Sequence, residues 1–94
     1  MILYSRDASQ DIARLRSFLD QVNPGAAQRA MALVFKAIEK LPDSPDRGRH
    51  LDNSGIRQIT VRFGASGYIV RYCALPETKD ILIVRIWHAR EARS

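Results

Sequence analysis

The sequence predicts an α+β domain: an N-terminal strand and a helical hairpin packed on one face of an antiparallel β-sheet. Three observations carry that prediction. Residues 56–88 contain three strand-like runs, IRQITVRF, YIVRYCA and ILIVRIWH, parted by GASG and LPETKD. β-Branched and aromatic residues fill the runs, and Gly, Ser, Pro and Asp fill the breaks. Two stretches of helical periodicity come before them, and helices followed by a strand meander is the order of an α+β fold. With 94 residues, positions 1–94 make one domain with a modest core.

Ile2–Tyr4 is short, apolar and β-prone, and reads as a first strand. Ser5 and Asp7 are both suited to cap a helix, and Asp7 with Gln10 forms an imperfect capping box. Apolar residues then recur at Ala8, Ile12, Leu15, Leu19 and Val22, which fall on one helical face. Asn23-Pro24-Gly25 interrupts the pattern: Asn23 can cap a new helix, and Pro24 suits its first turn, where no backbone N–H is needed. Ala27, Ala30, Met31, Val34, Ile38 and Leu41 form the second face, and Pro42 stops it. So short a connection forces the helices side by side and antiparallel. From Pro42 to Gly55 the residues are turn formers without periodicity, which reads as a solvated loop carrying Arg47, Arg49 and His50.

Side chains alternate along a strand, so parity sorts the meander into two faces. Ile59, Val61 and Phe63, then Tyr68, Val70 and Tyr72, then Leu82, Val84 and Ile86 form the apolar set. Leu15, Leu19, Val34, Ile38, Val61, Val70, Val84 and Ile86 are accordingly expected in one core, and an Asp at Val84 is expected to unfold it. The other set gathers Arg62, Arg71, Arg85 and Trp87 on the face turned away from the helices. Arg supplies planar bidentate donors for phosphate or carboxylate, and Trp can stack a base or anchor a protein side chain. Like charges on adjacent strands repel, so three Arg there need an offset. His88 shares the core-side parity and reads as a structural residue at a strand end, and Arg90 and Arg93 follow on an exposed tail.

The net charge is +5, with +1 in residues 1–45 and +4 in residues 46–94. A basic strand half favours a polyanion or an acidic protein partner. No apolar run approaches the ~20 residues of a membrane span, MILYSRD does not begin as a signal peptide does, and the single Cys73 forms no internal disulfide. These features point to a cytoplasmic protein. There is no phosphate loop, no G-x-G-x-x-G, no His/Cys spacing for zinc and no carboxylate pair on the strands. No cofactor or metal is expected.

The motifs YSRDASQDI, NPGAAQRA, LPDSPDRGR, SGIRQITV, SGYIVRY and ILIVRIWHAR span nearly the whole chain. In this order and spacing they resemble the RelE/ParE superfamily of bacterial type II toxins, and its ParE branch in particular. RelE-like members cut mRNA in the ribosome with a basic and aromatic set on the open sheet face. Arg62 and Arg90 match basic members of that set, whereas Thr60 and Ile69 stand where the RNA-cutting branch carries further basic residues. Its C-terminal tyrosine has no counterpart in the 94 residues. The P-x-x-G-R, G-x-R and V-x-H patterns of the ParE branch appear as Pro45–Arg49, Gly55–Arg57 and Ile86–His88. The resemblance therefore implies a toxin that inhibits DNA gyrase by protein–protein binding and leaves cleaved DNA complexes behind. It also implies a cognate antitoxin with a DNA-binding part, often ribbon-helix-helix, and a flexible C-terminal segment that folds on the toxin. A ribosome-dependent mRNA endonuclease acting through Arg62 and Arg90 is the alternative, and a non-toxic protein-binding module on the same fold is a third. The candidate target-binding residues are Arg57, Arg62, Arg71, Arg85, Trp87 and Arg90.

Overall fold

The computed structural model describes residues 1–91, apart from the side chains of Leu19, Asp20 and Val22. The core expectation at Leu19 and the tail position Arg93 lie outside the described residues. Strand β1 (Ile2–Tyr4) leads into helices α1 (Arg6–Val22) and α2 (Pro24–Glu39). A 3₁₀ turn at Pro45–Arg47 precedes β2 (Arg49–His50), and β3 (Arg57–Phe63), β4 (Ser66–Ala74) and β5 (Ile81–His88) follow. Ser5, not Asp7, caps α1: its hydroxyl accepts from the Ala8 N–H at 3.0 Å. Asn23 caps α2 by accepting from the Ala26 N–H at 3.1 Å, with Pro24 in the first turn. No helix among the described residues is long and apolar enough to cross a membrane.

The sheet has five strands in the order β1-β5-β4-β3-β2. The meander β3-β4-β5 is antiparallel, but β1 joins β5 in parallel, so the sheet is mixed rather than purely antiparallel. β2 pairs antiparallel with β3 and turns part of the expected loop into a fifth strand. The β3–β4 hairpin closes through Gly64-Ala65, and Gly64 has a φ of +62°, a conformation that favours glycine. The hairpin α1–α2 covers one face, and the core between the layers contains Leu15, Val34, Ile38, Val70, Tyr72 and Ile86.

The third strand departs from simple parity. On β5, Arg85 pairs with Arg71 while Ile83 pairs with Tyr72, so Val84 is an extra residue and the strand is bulged. The bulge resets which side chains face inward. Ile81, Ile83 and Ile86 are buried, whereas Leu82 and Val84 are half-buried, which overturns the expectation of Val84 in the core. It also leaves backbone groups to be satisfied, and the start of α1 satisfies them. The Ser5 N–H donates to the Ile83 carbonyl at 2.9 Å, and its hydroxyl donates to the Val84 carbonyl at 2.8 Å. The Ile86 N–H donates to the Asp11 carboxylate at 2.8 Å. The bulge is therefore the point at which helix and sheet are joined.

A second joint fixes the other edge. The Tyr72 hydroxyl, fully buried, donates to the Pro45 carbonyl and accepts from the Gly48 N–H, each at 2.8 Å. A Cβ at Gly48 would lie 2.8 Å from that oxygen and 2.9 Å from the Gln58 carbonyl, so only glycine fits. This stitch holds the segment that delivers β2.

Two substitutions separate the bulged register from an unbroken one. Ile83→Ala is expected to cost about 2–5 kcal/mol, and Val84→Ala about 0.5–1 kcal/mol, read as denaturation midpoints in urea. Equal losses would contradict the bulge. Tyr72→Phe should cost about 1–3 kcal/mol by leaving the Gly48 N–H unpaired, and should raise hydrogen exchange at Gly48.

Candidate functional site: the open sheet face

Residues paired directly across antiparallel strands share a face. The row Arg49–Gln58–Arg71 runs across β2, β3 and β4, and the next row is Thr60–Ile69–Trp87. Arg62, opposite Gly67, stands one row further along. These residues lie on the face away from the helices. Arg71 donates from Nε to the Gln58 side-chain oxygen at 3.1 Å, and its guanidinium lies 4.8 Å from the centre of the Trp87 ring. That stack leaves Trp87 only 7% exposed. Arg49 and Arg62 are exposed. Asp52, in the turn after β2, accepts from the Ser54 N–H at 2.7 Å. Its own hydrogen bonds and then the nearby Arg71 charge hold its carboxyl below the ordinary value.

The six sequence-derived candidates divide. Arg62, Arg71 and Trp87 come together on the open face. Arg57 turns to the loop instead, donating to the carbonyls of Gly48 at 2.7 Å and Asp46 at 3.3 Å, with the Asp46 carboxylate 3.5 Å away. Arg85 is held by Asp11 of α1 through two hydrogen bonds of 2.8 and 3.0 Å. Arg90 is exposed in the turn after β5, where its N–H donates to His88 Nδ1 at 3.1 Å. Sequence parity also missed Arg49, because a two-residue strand inside a turn-rich stretch leaves no alternation to read.

His88 is the described histidine closest to chemistry. Its Nε2 lies 2.9 Å from the Ser66 hydroxyl, and its ring packs edge-on to Tyr68 at 5.1 Å. The pair is not a nucleophile and its base. Nδ1 accepts from the Arg90 N–H, which assigns the proton to Nε2 and makes the ring a donor towards Ser66. The carboxylate of Glu91 accepts the His88 N–H at 3.1 Å and meets Arg14 at 3.1 Å. This turn borders a cavity of about 540 Å³ between α1 and the sheet end, beside the exposed Phe18. Among the described residues no group of three His, Cys, Asp or Glu could hold a metal ion.

Comparison with known proteins gives three results. Residues 2–93 match the family model described as the ParE toxin of the type II toxin–antitoxin system parDE. The chain is 36% identical to Toxin RelE1 of Caulobacter vibrioides, over 98% of its own length and 96% of that protein. Toxin RelE3 of the same organism is also 36% identical, over 92% and 90% of the two chains. Two solved structures share the fold. The chromosomal ParDE system of P. aeruginosa superposes at a TM-score of 0.72 and 19% identity, covering 93% of this chain and 92% of that one. The intact E. coli RelBE toxin–antitoxin complex superposes at 0.64 and 14% identity, covering 97% and 98%.

Asp11, only 1% exposed, supplies the offset that the sheet arginines need. Burial pushes its carboxyl up, but hydrogen bonds from Arg85, the Ile86 N–H and Arg14 outweigh burial and hold it at about 2, below the ordinary 3.8. A lowered folded-state value contributes stability that is present above about pH 4 and is lost as pH falls towards 2. The shift corresponds to roughly 2 kcal/mol. Asp11→Asn is expected to destabilise the protein at neutral pH, and its deficit against wild type should shrink by roughly that amount between about pH 5 and pH 2. Urea denaturation at a series of pH values measures it, and a constant deficit would refute the assignment.

Proposed function

The chain belongs to the ParE toxin family of type II toxin–antitoxin systems, and from that premise we propose that it inhibits DNA gyrase by binding it and is neutralised by a cognate antitoxin. One observation carries this reading. The open face has charge for binding and, apart from the half-buried thiol of Cys73, no group for proton transfer. The strand positions of that face, from Arg49 on β2 to Trp87 on β5, hold no His, Tyr, Asp or Glu. RNA cleavage by transfer of protons needs a positioned acid or base. Trp87, the aromatic of this face, lies beneath Arg71 and offers no free ring for a base to stack on. Thr60 and Ile69 add no cationic donors, and the loss of such donors typically costs ~10²–10³ in rate apiece. A gyrase inhibitor needs only anchors, and Arg is among the residue types that dominate interfaces.

The antitoxin reading is supported by the family, by the fold shared with a solved toxin–antitoxin complex and by the helical side of the molecule. Phe18 is 63% exposed and Leu33 41%. An amphipathic, partly acidic segment folding across the hairpin would cover such residues and match the basic charge. A second reading has its own support: the similar Caulobacter proteins carry the name RelE, and Arg62 and Arg90 are both exposed. That reading is a ribosome-dependent mRNA endonuclease.

Two assays on the purified toxin divide the readings. Supercoiling of relaxed plasmid by gyrase should fall with increasing toxin, and primer extension on mRNA from translating ribosomes should reveal no new cuts. Arg62→Ala with Arg71→Ala should weaken inhibition by about tenfold or more. Ribosome-dependent cuts with normal supercoiling would establish the endonuclease instead. Harmless overexpression without antitoxin would favour a non-toxic binding module.

A further inference from the structure

We propose that the open face recognises an acidic helical segment of its protein partner, and that Arg49 and Arg71 are its two anchors. The inference rests on the reading of this face as the surface that meets the target. It adds the partner's chemistry and a residue outside the sequence-derived set.

Of the five arginines that the three long strands and β2 provide, two are committed elsewhere. Arg57 holds the loop through two carbonyls, and Arg85 is paired with Asp11. Arg49, Arg62 and Arg71 remain. No ion pair engages Arg49 among the described residues, and it is exposed. It is nevertheless not free to wander at the backbone. Its pairing with Gln58 sets its face, and the Tyr72 hydroxyl and Arg57 fix the turn that delivers it. Arg71 is preorganised from the other side. Trp87 supports the guanidinium plane, and Gln58 takes the Nε–H. The terminal N–H groups are left for an oxyanion in the fork geometry that suits a carboxylate. A side chain already ordered loses less entropy on binding.

The spacing narrows the partner. The backbones of Arg49 and Arg71 sit in one row, two strands and so about 10 Å apart, and set the scale of the separation between two carboxylates that meet both side chains. Two turns of α-helix separate residues i and i+7 by about the same distance, on the same face. An extended strand places same-face residues about 7 or 13 Å apart instead. Nucleic acid is the poorer fit. The indole is covered, so bases would find no stacking platform.

Trp87 is the only tryptophan in the protein, so its emission reports directly on the anchor above it. The experiment titrates the full chain with a helical peptide that lacks aromatic residues and carries two Glu seven positions apart. A saturable change in Trp87 emission is expected. Arg49→Glu should weaken the peptide by about tenfold, whereas Arg29→Glu, the same charge change on α2, should leave it unaltered. A peptide with one Glu should bind the wild type about tenfold more weakly and lose little further in Arg49→Glu. Unchanged affinity in Arg49→Glu would overturn the proposal, and so would a single-stranded oligoribonucleotide that changes the emission at lower concentration than the peptide. Gyrase assays on the same variants keep the two readings apart. If Arg49→Glu loses the peptide but still inhibits gyrase, the acidic-segment site stands and the gyrase reading of this face fails.

Discussion

Everything in this structure leans on the carboxylate of Asp11. It lies at the one place where the sheet breaks its own rule, and it takes the N–H of Ile86 together with the guanidinium of Arg85. A β-bulge leaves groups that the ladder cannot pair. Here a residue on the first helix answers them, so the irregularity becomes the attachment point of the helical layer. Arg14 extends the joint by donating to the same carboxylate and to the Ile86 carbonyl at 3.3 Å. A helix that merely rested its apolar stripe on the sheet could slide, because hydrophobic contact is not directional. The ion pair fixes its register.

Much of this was written plainly in the sequence. The two helical faces, the Asn23-Pro24 start of α2 and the three long strands followed from periodicity and turn chemistry. They did so because each is a local property, set by residues within a few positions of one another. Ser5 and Asp7 were equally good caps on local grounds. The choice fell to Ser5 because its hydroxyl also meets the Val84 carbonyl, far away in the chain. The bulge had no local signal, since an extra Val in a run of Ile, Leu and Val looks like any other strand residue. Parity was therefore right on β3 and β4 and right on β5 only beyond the bulge, at Ile86. The uncomfortable cluster of three Arg did leave a trace: the repulsion called for an offset, and Asp11 provides it from another element.

The site divides the arginines by what faces them. Where a carbonyl or carboxylate of the protein itself lies within reach, as at Arg57 and Arg85, the guanidinium serves the fold. Where a flat aromatic lies beneath, as at Arg71, the planar group is steadied without its terminal donors being consumed. Counting basic residues along a sequence cannot draw this distinction, because it depends on partners brought in from distant elements. The same sorting leaves the terminal N–H groups of Arg71 available to an oxyanion while those of Arg85 are spent on Asp11.

The placement of β5 between β1 and β4 bears on the order of events as the chain is made. Both helices and β1 leave the ribosome before any of the long strands exists. Yet the hydroxyl of Ser5 closes on Val84 across 79 positions of sequence, and Asp11 waits for Ile86 across 75. Until β5 emerges, α1 has no docking point on the sheet, β1 has no neighbour and the basic face has no wall behind it. Contacts so distant are entropically costly to close and slow to form. The nascent chain therefore passes most of its synthesis without an assembled open face. A partner that recognises the finished fold meets its target only after translation has carried β5 clear of the exit tunnel.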